Sequence, residues 1–312
     1  GATWMEMYNE AQLTRDPHAS QRYSQEIIDN TRKGINPLIY PSIDWTDYIF
    51  KKMAMSQRAN INVSGGGSKA TYYMSIQANH DTGLLNTKKF YSFNNNINNW
   101  SYNFQNNIRY KLTRSTTIDL RMNAQISNNN GPQYNPADLF AKARTTNPVS
   151  FPAIFPAQEG DEHPRFGNAY RTGNTLMENP YAFMNTSFKN YQSNTLNTSL
   201  KITQNFDFIT KGLKATALIN FKNWSYNQYT RTIDPYFYRV KTDSYNPATN
   251  TYELERLGTS GTDYIAQSGI TKGGDNTFFL QFTIDYARRF NKHNVGGMLL
   301  YTQREYKNDV LP

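Results

Sequence analysis

Four histidines, His18, His80, His163 and His293, are the chain's candidates for metal or proton chemistry. No two stand at metal-ligand spacing, and there is no cysteine to complete a zinc set. Gly65-Gly66-Gly67-Ser68-Lys69 has the composition of a phosphate-cradling loop. It lacks the Walker spacing and stands between two alternating segments, so a tight turn is the reading it supports. Asp44 with Asp47, and Asp161 with Glu162, are close enough in sequence to be offered as acid–base pairs. Helix capping and solvated loops account for them. No nucleophile-elbow pattern occurs. The chain reads as a non-enzyme with no metal and no cofactor.

Binding chemistry is better supplied. Trp224, Tyr226, Tyr229, Tyr236, Phe237 and Tyr238 crowd one stretch. Such rings can pack as an interfacial girdle, or stack on sugar rings and peptide side chains. Arg109, Arg121, Asp119, Lys201 and Lys222 occupy polar positions of alternating segments. There they would form a hydrated wall or touch cargo. Weak polar contacts of this kind suit transport, because cargo must also leave. Trp224, Tyr226, Tyr229, Tyr236, Arg109 and Arg121 are the candidate substrate-binding residues.

These side chains need strands to position them. Tyr102, Phe104, Ile108, Tyr110 and Leu112 alternate with Asn103, Gln105, Asn107, Arg109 and Lys111. After a turn at Thr113-Arg114-Ser115, Ile118, Leu120, Met122, Ala124 and Ile126 alternate with Asp119, Arg121, Asn123, Gln125 and Ser127. A period of two puts each set on its own face. Three more hairpins are predicted, turning at 65–69, 210–212 and 291–294. In the last, the return from Val295 to Tyr301 is blurred by Gly296-Gly297. Turns within hairpins are short. The links between them, at about 82–100, 129–190 and 229–275, are long. That asymmetry, with one greasy and one wet face, is the pattern of a transmembrane β-barrel.

Mean hydropathy of −0.76 does not contradict this, because lumenal residues dilute lipid-facing ones one to one. No segment approaches the roughly 20 apolar residues of a membrane helix. The net charge of +9 is spread singly, without a basic run, which argues against nucleic acid. Asn94-Asn95-Asn96 and Asn128-Asn129-Asn130 read as wet loop or lumen wall. Asp309-Val310-Leu311-Pro312 reads as a cut in mid-element, and so as the end of a piece of a longer chain. Residues 1–57 form a mixed N-terminal segment, and 58–312 hold the hairpins. In the first segment Ser24 caps a short helix ended by Gly34, and Asp44 caps another. Pro136 to Arg144 can form a third, with Pro at its start.

Asp44-Trp45-Thr46-Asp47-Tyr48-Ile49-Phe50-Lys51 resembles a segment of SusC/RagA-type TonB-dependent transporters. So do Val63-Ser64-Gly65-Gly66, Thr71-Tyr72-Tyr73-Met74-Ser75 and Gly83-Leu84-Leu85. Tyr8-Asn9-Glu10-Ala11, Tyr40-Pro41 and Asn147-Pro148-Val149-Ser150-Phe151-Pro152 extend the likeness, which is dense over about 1–130 and looser beyond. The resemblance implies an outer-membrane barrel of roughly 22 strands with a plugged lumen, of which this chain would supply about eight. It implies energy from TonB, a SusD-like surface lipoprotein as partner, and oligosaccharide or peptide cargo. The chain departs from the full pattern in lacking the plug and the TonB-contacting segment. Two other readings remain open on the residues alone. One is a small self-contained eight-stranded barrel serving as anchor or adhesin. The other is a soluble carbohydrate-binding β-sandwich, whose strands would be about half as long.

Overall fold

Alternation becomes strand wherever a neighbour shares its register. The computed structural model describes residues 1–93 and 95–308. Eight strands form one antiparallel sheet: β1 Ser56–Gly66, β2 Ala70–Thr82, β3 Asn98–Lys111, β4 Thr116–Gly131, β5 Ser187–Asn205, β6 Leu213–Thr232, β7 Ala266–Phe290 and β8 His293–Asn308. Their order in space is their order in the chain. β1 and β8 are edges, each with one partner strand among the described residues. The sheet is therefore open, and these eight strands do not close on themselves.

The register keeps the two faces chemically distinct. One row runs Tyr72, Ile108, Leu120, Leu200, Ile219 and Leu280 across β2 to β7. The neighbouring row, one residue along, runs Tyr73, Asn107, Arg121, Ser199, Asn220 and Phe279. A slip of one residue would exchange the faces, so the pattern itself pins the pairing. Burial is inverted relative to a sheet folded in water. Ile61, Ile76 and Ile126 on the apolar face are 76%, 57% and 51% exposed. Ser75, Asp119 and Thr283 on the polar face are buried. No second sheet covers the apolar side among the described residues.

The strands run further than apolar alternation announces. β5 starts at Ser187, yet Lys189 to Asn194 is an aliphatic-free stretch whose central residues, Asn190 to Ser193, pair with Asn130, Asn129, Asn128 and Ser127 of β4. Amide pairing carries the ladder there, as where Asn190 Nδ2 donates to Asn128 Oδ1 at 2.9 Å. β8 is likewise unbroken by Gly296-Gly297, because all sixteen of its residues pair with β7. The last turn shortens to Asn291-Lys292, with Asn291 at φ 51°.

At the turn end of β5 and β6, Gly212 has φ 87°, and a Cβ on it would come within 1.9 Å of the Ala287 carbonyl oxygen. That same strand-end contact carries a hydrogen bond, Ala287 N to Gly212 O at 2.9 Å. Gly212→Ala is expected to destabilise this corner by ~1–3 kcal/mol or more. A lowered midpoint in a heat-modifiability gel of the folded protein checks this; an unchanged midpoint refutes it.

The hydrophobic core lies in the connections. The segments 1–55, 83–97, 132–186 and 233–265 meet at the end of the sheet opposite the tight turns. Trp45, Ile49, Leu85, Leu139, Phe151, Phe166, Tyr181, Met184, Phe237 and Leu257 form one buried cluster drawn from all four. Short helices frame it: α3 Trp45–Ile49, α4 Pro136–Thr145 and α5 Pro180–Asn185. A three-stranded sheet of Leu254–Leu257, Phe237–Val240 and Phe166–Gly167 completes this cap. The caps expected for two helices are present: Asp44 accepts from Thr46 and Asp47 N–H, and Ser24 from Ile27 N–H. Gly34 ends α2 (Gln25–Lys33) in the left-handed conformation.

A further helix, α1 Ala2–Arg15, has no counterpart in the sequence reading. Its apolar residues do not gather on one face, and Gly1 supplies no side-chain cap. Met5 anchors it on Ile28 and Val149. Buried Asn9 fixes it to Tyr23 by exchanging hydrogen bonds with that backbone at 2.7 and 3.2 Å. No helix of the described residues is long and apolar enough to cross a membrane. The Asn94 position and the stretch Asp309 to Pro312 lie outside the described residues.

Candidate functional site

The polar face carries its charges near the tight-turn end. Arg109 and Asp119 are register partners on β3 and β4. Arg109 Nε donates to Asp119 Oδ1 at 2.6 Å. The arginine is more than half exposed, so the pair contributes under ~1 kcal/mol to stability. On its other side Asp119 faces Lys201, and Arg121 stands between Asn107 and Ser199. Three cations thus surround one carboxylate. Two continuous grooves pass over them. One of about 620 Å³ includes Tyr73, Gln105, Asn107, Arg109, Asp119 and Arg121. The next, about 390 Å³, runs past Arg121 and Lys201 to Leu218, Asn220 and Phe279. Leu218 and Phe279 are apolar residues on the wet face. Both sit at even-odd positions opposite to those of the apolar set, which is the signal that marks them in the sequence.

Higher on the same face, β6 presents Trp224 and Tyr226. Their ring centroids are 5.1 Å apart, and Tyr226 stacks on Tyr191 of β5 at 5.9 Å. Tyr226 lies against Gly273 of β7, where a Cβ would meet its ring at 3.0 Å. Glycine there leaves room for the ring. Trp224 shares a cross-strand row with Thr195 and Gln125, and Arg121 is four residues along β4 from Gln125. The aromatic and cationic groups are therefore about 13 Å apart along the strands.

The other two candidates are elsewhere. Tyr229 has the opposite parity from Tyr226 and lies on the other face, edge-on to Phe188 at 5.9 Å. Tyr236 belongs to the cap. It stacks on His163 at 3.8 Å, carries the Arg256 guanidinium 4.6 Å above its ring, and donates its hydroxyl to Asp263 at 2.9 Å. The Asp263 hydrogen bond holds the Tyr236 phenol above its ordinary pKa. His163 Nε2 is 2.8 Å from Tyr238 Oη. Nearby, Asp161 is held below the usual carboxylate range, first by the Gln158 N–H and also by Arg165. The expected cluster of aromatics thus resolves into a wall pair, an outer-face residue and a cap residue. Tyr191, Leu218 and Phe279 are the neighbours that sequence reading does not single out, and His163, named there as a candidate for metal or proton chemistry, serves as a stacking partner.

The histidines stand in four different elements. His80 stacks on Trp100 at 4.2 Å, His163 lies in the cap, His18 is exposed and His293 opens β8. Among the described residues no three His, Cys, Asp or Glu side chains group as a metal site. The surface can therefore bind by stacking, hydrogen bonding and charge.

No family model matches the chain, and no curated protein does. Solved structures do share its fold. It is similar to a chain of the RagAB peptide transporter at 16% identity and a TM-score of 0.55, over 86% of this chain and 26% of that one. Against the RagAB peptide importer in its "closed-closed" state the identity is 16% and the TM-score 0.60, over 97% of this chain and 32% of that one. In the "open-open" state the values are 14% and 0.62, over 97% and 32%. The chain spans about a quarter to a third of the solved chains it matches, and shares with that part of them an antiparallel sheet fold.

Proposed function

We propose that this chain is a segment of a SusC-type outer-membrane importer, supplying about eight strands of a barrel of roughly 22. The observation that carries this is the inverted sheet. Its apolar face is exposed and its polar face holds buried polar side chains, an arrangement stable where hydrocarbon lies on one side and water on the other. The open edges β1 and β8 would then pair with further strands of the parent protein. The fold likeness to RagAB chains supports the same reading. In it, the tight turns face the periplasm and the cap faces outward, where it would meet a SusD-like lipoprotein. A plug outside this chain would take energy from TonB. Cargo would be peptide or oligosaccharide, contacting the Trp224–Tyr226 rings and the Arg109–Arg121 groove in turn.

This chain has no cysteine of its own, so in a parent protein cleared of any others an added cysteine is the one thiol. Single cysteines at Gln125 and Met122 are placed in the full parent protein in native outer membranes and treated with a water-soluble maleimide. Gln125→Cys is expected to label and to be protected by cargo peptides or oligosaccharides. Met122→Cys, one face over, is expected to stay unlabelled. Equal labelling of the two would end the barrel reading. Labelling of Gln125→Cys that no peptide or oligosaccharide slows would end the cargo assignment.

A further inference from the structure

On the apolar face, β6 carries small residues where its neighbours carry large ones. Ala217 stands between Ile202 of β5 and Phe282 of β7, and Ala215 between Gln204 and Ile284. With Phe206 and Leu213 these side chains enclose a groove of about 400 Å³, in which Gln204 is the one polar side chain. Bulky walls over an alanine floor give it an almost wholly apolar lining, suited to a hydrocarbon chain.

The groove points toward the tight-turn end, and a cation stands there. Arg288 is on the same face of β7 as Phe282 and Ile284 by parity. Its Nη1 donates to Thr210 Oγ1 at 3.5 Å, and its guanidinium lies 4.8 Å from the Phe290 ring. Lys211 is exposed in the same turn. Around these cations, Phe208 and Ile209 are 72% and 67% exposed. Apolar groups mixed with cations at the end of an apolar face are the composition of an interfacial zone.

We infer that this groove holds an acyl chain of a glycerophospholipid, with the lipid phosphate on Arg288. The inference rests on the lipid-facing reading of the sheet. From Arg288 to Phe282 is six residues, about 20 Å along the strand. On a strand tilted by about 45° that is about 14 Å of depth, within the ~15 Å of one leaflet of a ~30 Å hydrocarbon core, so a chain anchored at Arg288 reaches the groove throughout its length. An arginine fork suits a phosphodiester because it donates two parallel hydrogen bonds. A protein strand is a poorer occupant, since β5, β6 and β7 are each hydrogen-bonded on both sides and offer no free edge.

The test uses the full parent protein in nanodiscs of equal parts phosphatidylethanolamine and phosphatidylglycerol. After transfer to mild detergent, native mass spectrometry counts retained lipid. The wild type is expected to keep phospholipid enriched in phosphatidylglycerol. Ala217→Phe, which fills the groove, should lower total retention about fivefold. Arg288→Gln should leave the groove open but reduce the preference for the anionic lipid about fivefold, the effect of one cation at an anionic surface. Ala217→Leu serves the same purpose as Ala217→Phe should the larger ring impair folding. Wild-type retention in a folded groove-filling variant, or no retained lipid in the wild type, overturns the inference. The Met122→Cys protein separates the two levels. If it labels from water, the lipid-facing reading has failed. If it stays protected while the filled groove still retains lipid, only the groove assignment is wrong.

Discussion

Met122→Arg is expected to destabilise the membrane-inserted protein by ~2–4 kcal/mol, and Asn123→Arg by close to nothing. The two residues are adjacent in the middle of β4, with the same strand neighbours on either side. Met122 belongs to the apolar face and Asn123 to the polar face. A guanidinium at Met122 would sit near the middle of the hydrocarbon, where charge costs most. At Asn123 it would join Arg121 and Lys201 in water and alter selectivity instead. In a water-soluble sheet the outcome would differ, because Met122 is already partly exposed. Arginine there would cost a few tenths of a kcal/mol, as for any surface substitution. The comparison of outer-membrane abundance and heat-modifiable folding between the two variants therefore decides between lipid and water. Equal abundance would sink the membrane reading even if the fold is as described.

The part of this molecule legible in its sequence is the part governed by a period of two. The apolar sets of β2, β3, β4 and β6 are on one face as their alternation predicts. Parity also sorts the candidate residues once strand bounds are known. It separates Tyr229 from Tyr226, and it marks Leu218 and Phe279 as exceptions on the wet face. It fails where pairing depends on amides, as at the start of β5, because Asn and Gln carry no apolar signal on either face. It fails again in the cap. Phe151, Phe166, Tyr181, Phe237 and Leu257 are scattered over more than a hundred residues, yet they form one core. Their convergence depends on long-range contacts, such as the parallel pairing of Phe166 with Phe237. No local spacing encodes those. The N-terminal helix α1 went unseen for a related reason: a buried asparagine and the distant Val149 hold it, in place of an apolar stripe.

Asn179→Ala is expected to loosen the cap by about 2–4 kcal/mol while leaving the sheet intact. Asn179 is wholly buried and uses every donor and acceptor of its amide. Its Oδ1 accepts from Tyr181 N at 3.0 Å and Ala182 N at 3.1 Å, capping α5. Its Nδ2 donates to the carbonyls of Ala153 and Gly167, both at 2.8 Å. One side chain therefore joins the helix before β5 to two separate passes of the same long connection. Truncation costs the cap, about 1 kcal/mol. It also takes a donor from the Gly167 and Ala153 carbonyls, the second of which keeps the Gly167 N–H at 3.3 Å, for a further ~1–3 kcal/mol together. Asn179→Asp sharpens the argument. Aspartate is as good a helix cap as asparagine, so a residue needed only to start α5 would tolerate it. Here its second oxygen would face two carbonyl oxygens with no proton to offer, in a site closed to water. Asn179→Asp should therefore be at least as damaging as Asn179→Ala. Limited proteolysis of the folded protein reads this directly. Cleavage within 132–186 should accelerate in both variants, with heat-modifiability of the eight-stranded sheet unchanged. If Asn179→Asp resists protease like the wild type, the residue is a helix cap alone, and the clamp between the Ala153 and Gly167 passes plays no part in holding the cap together.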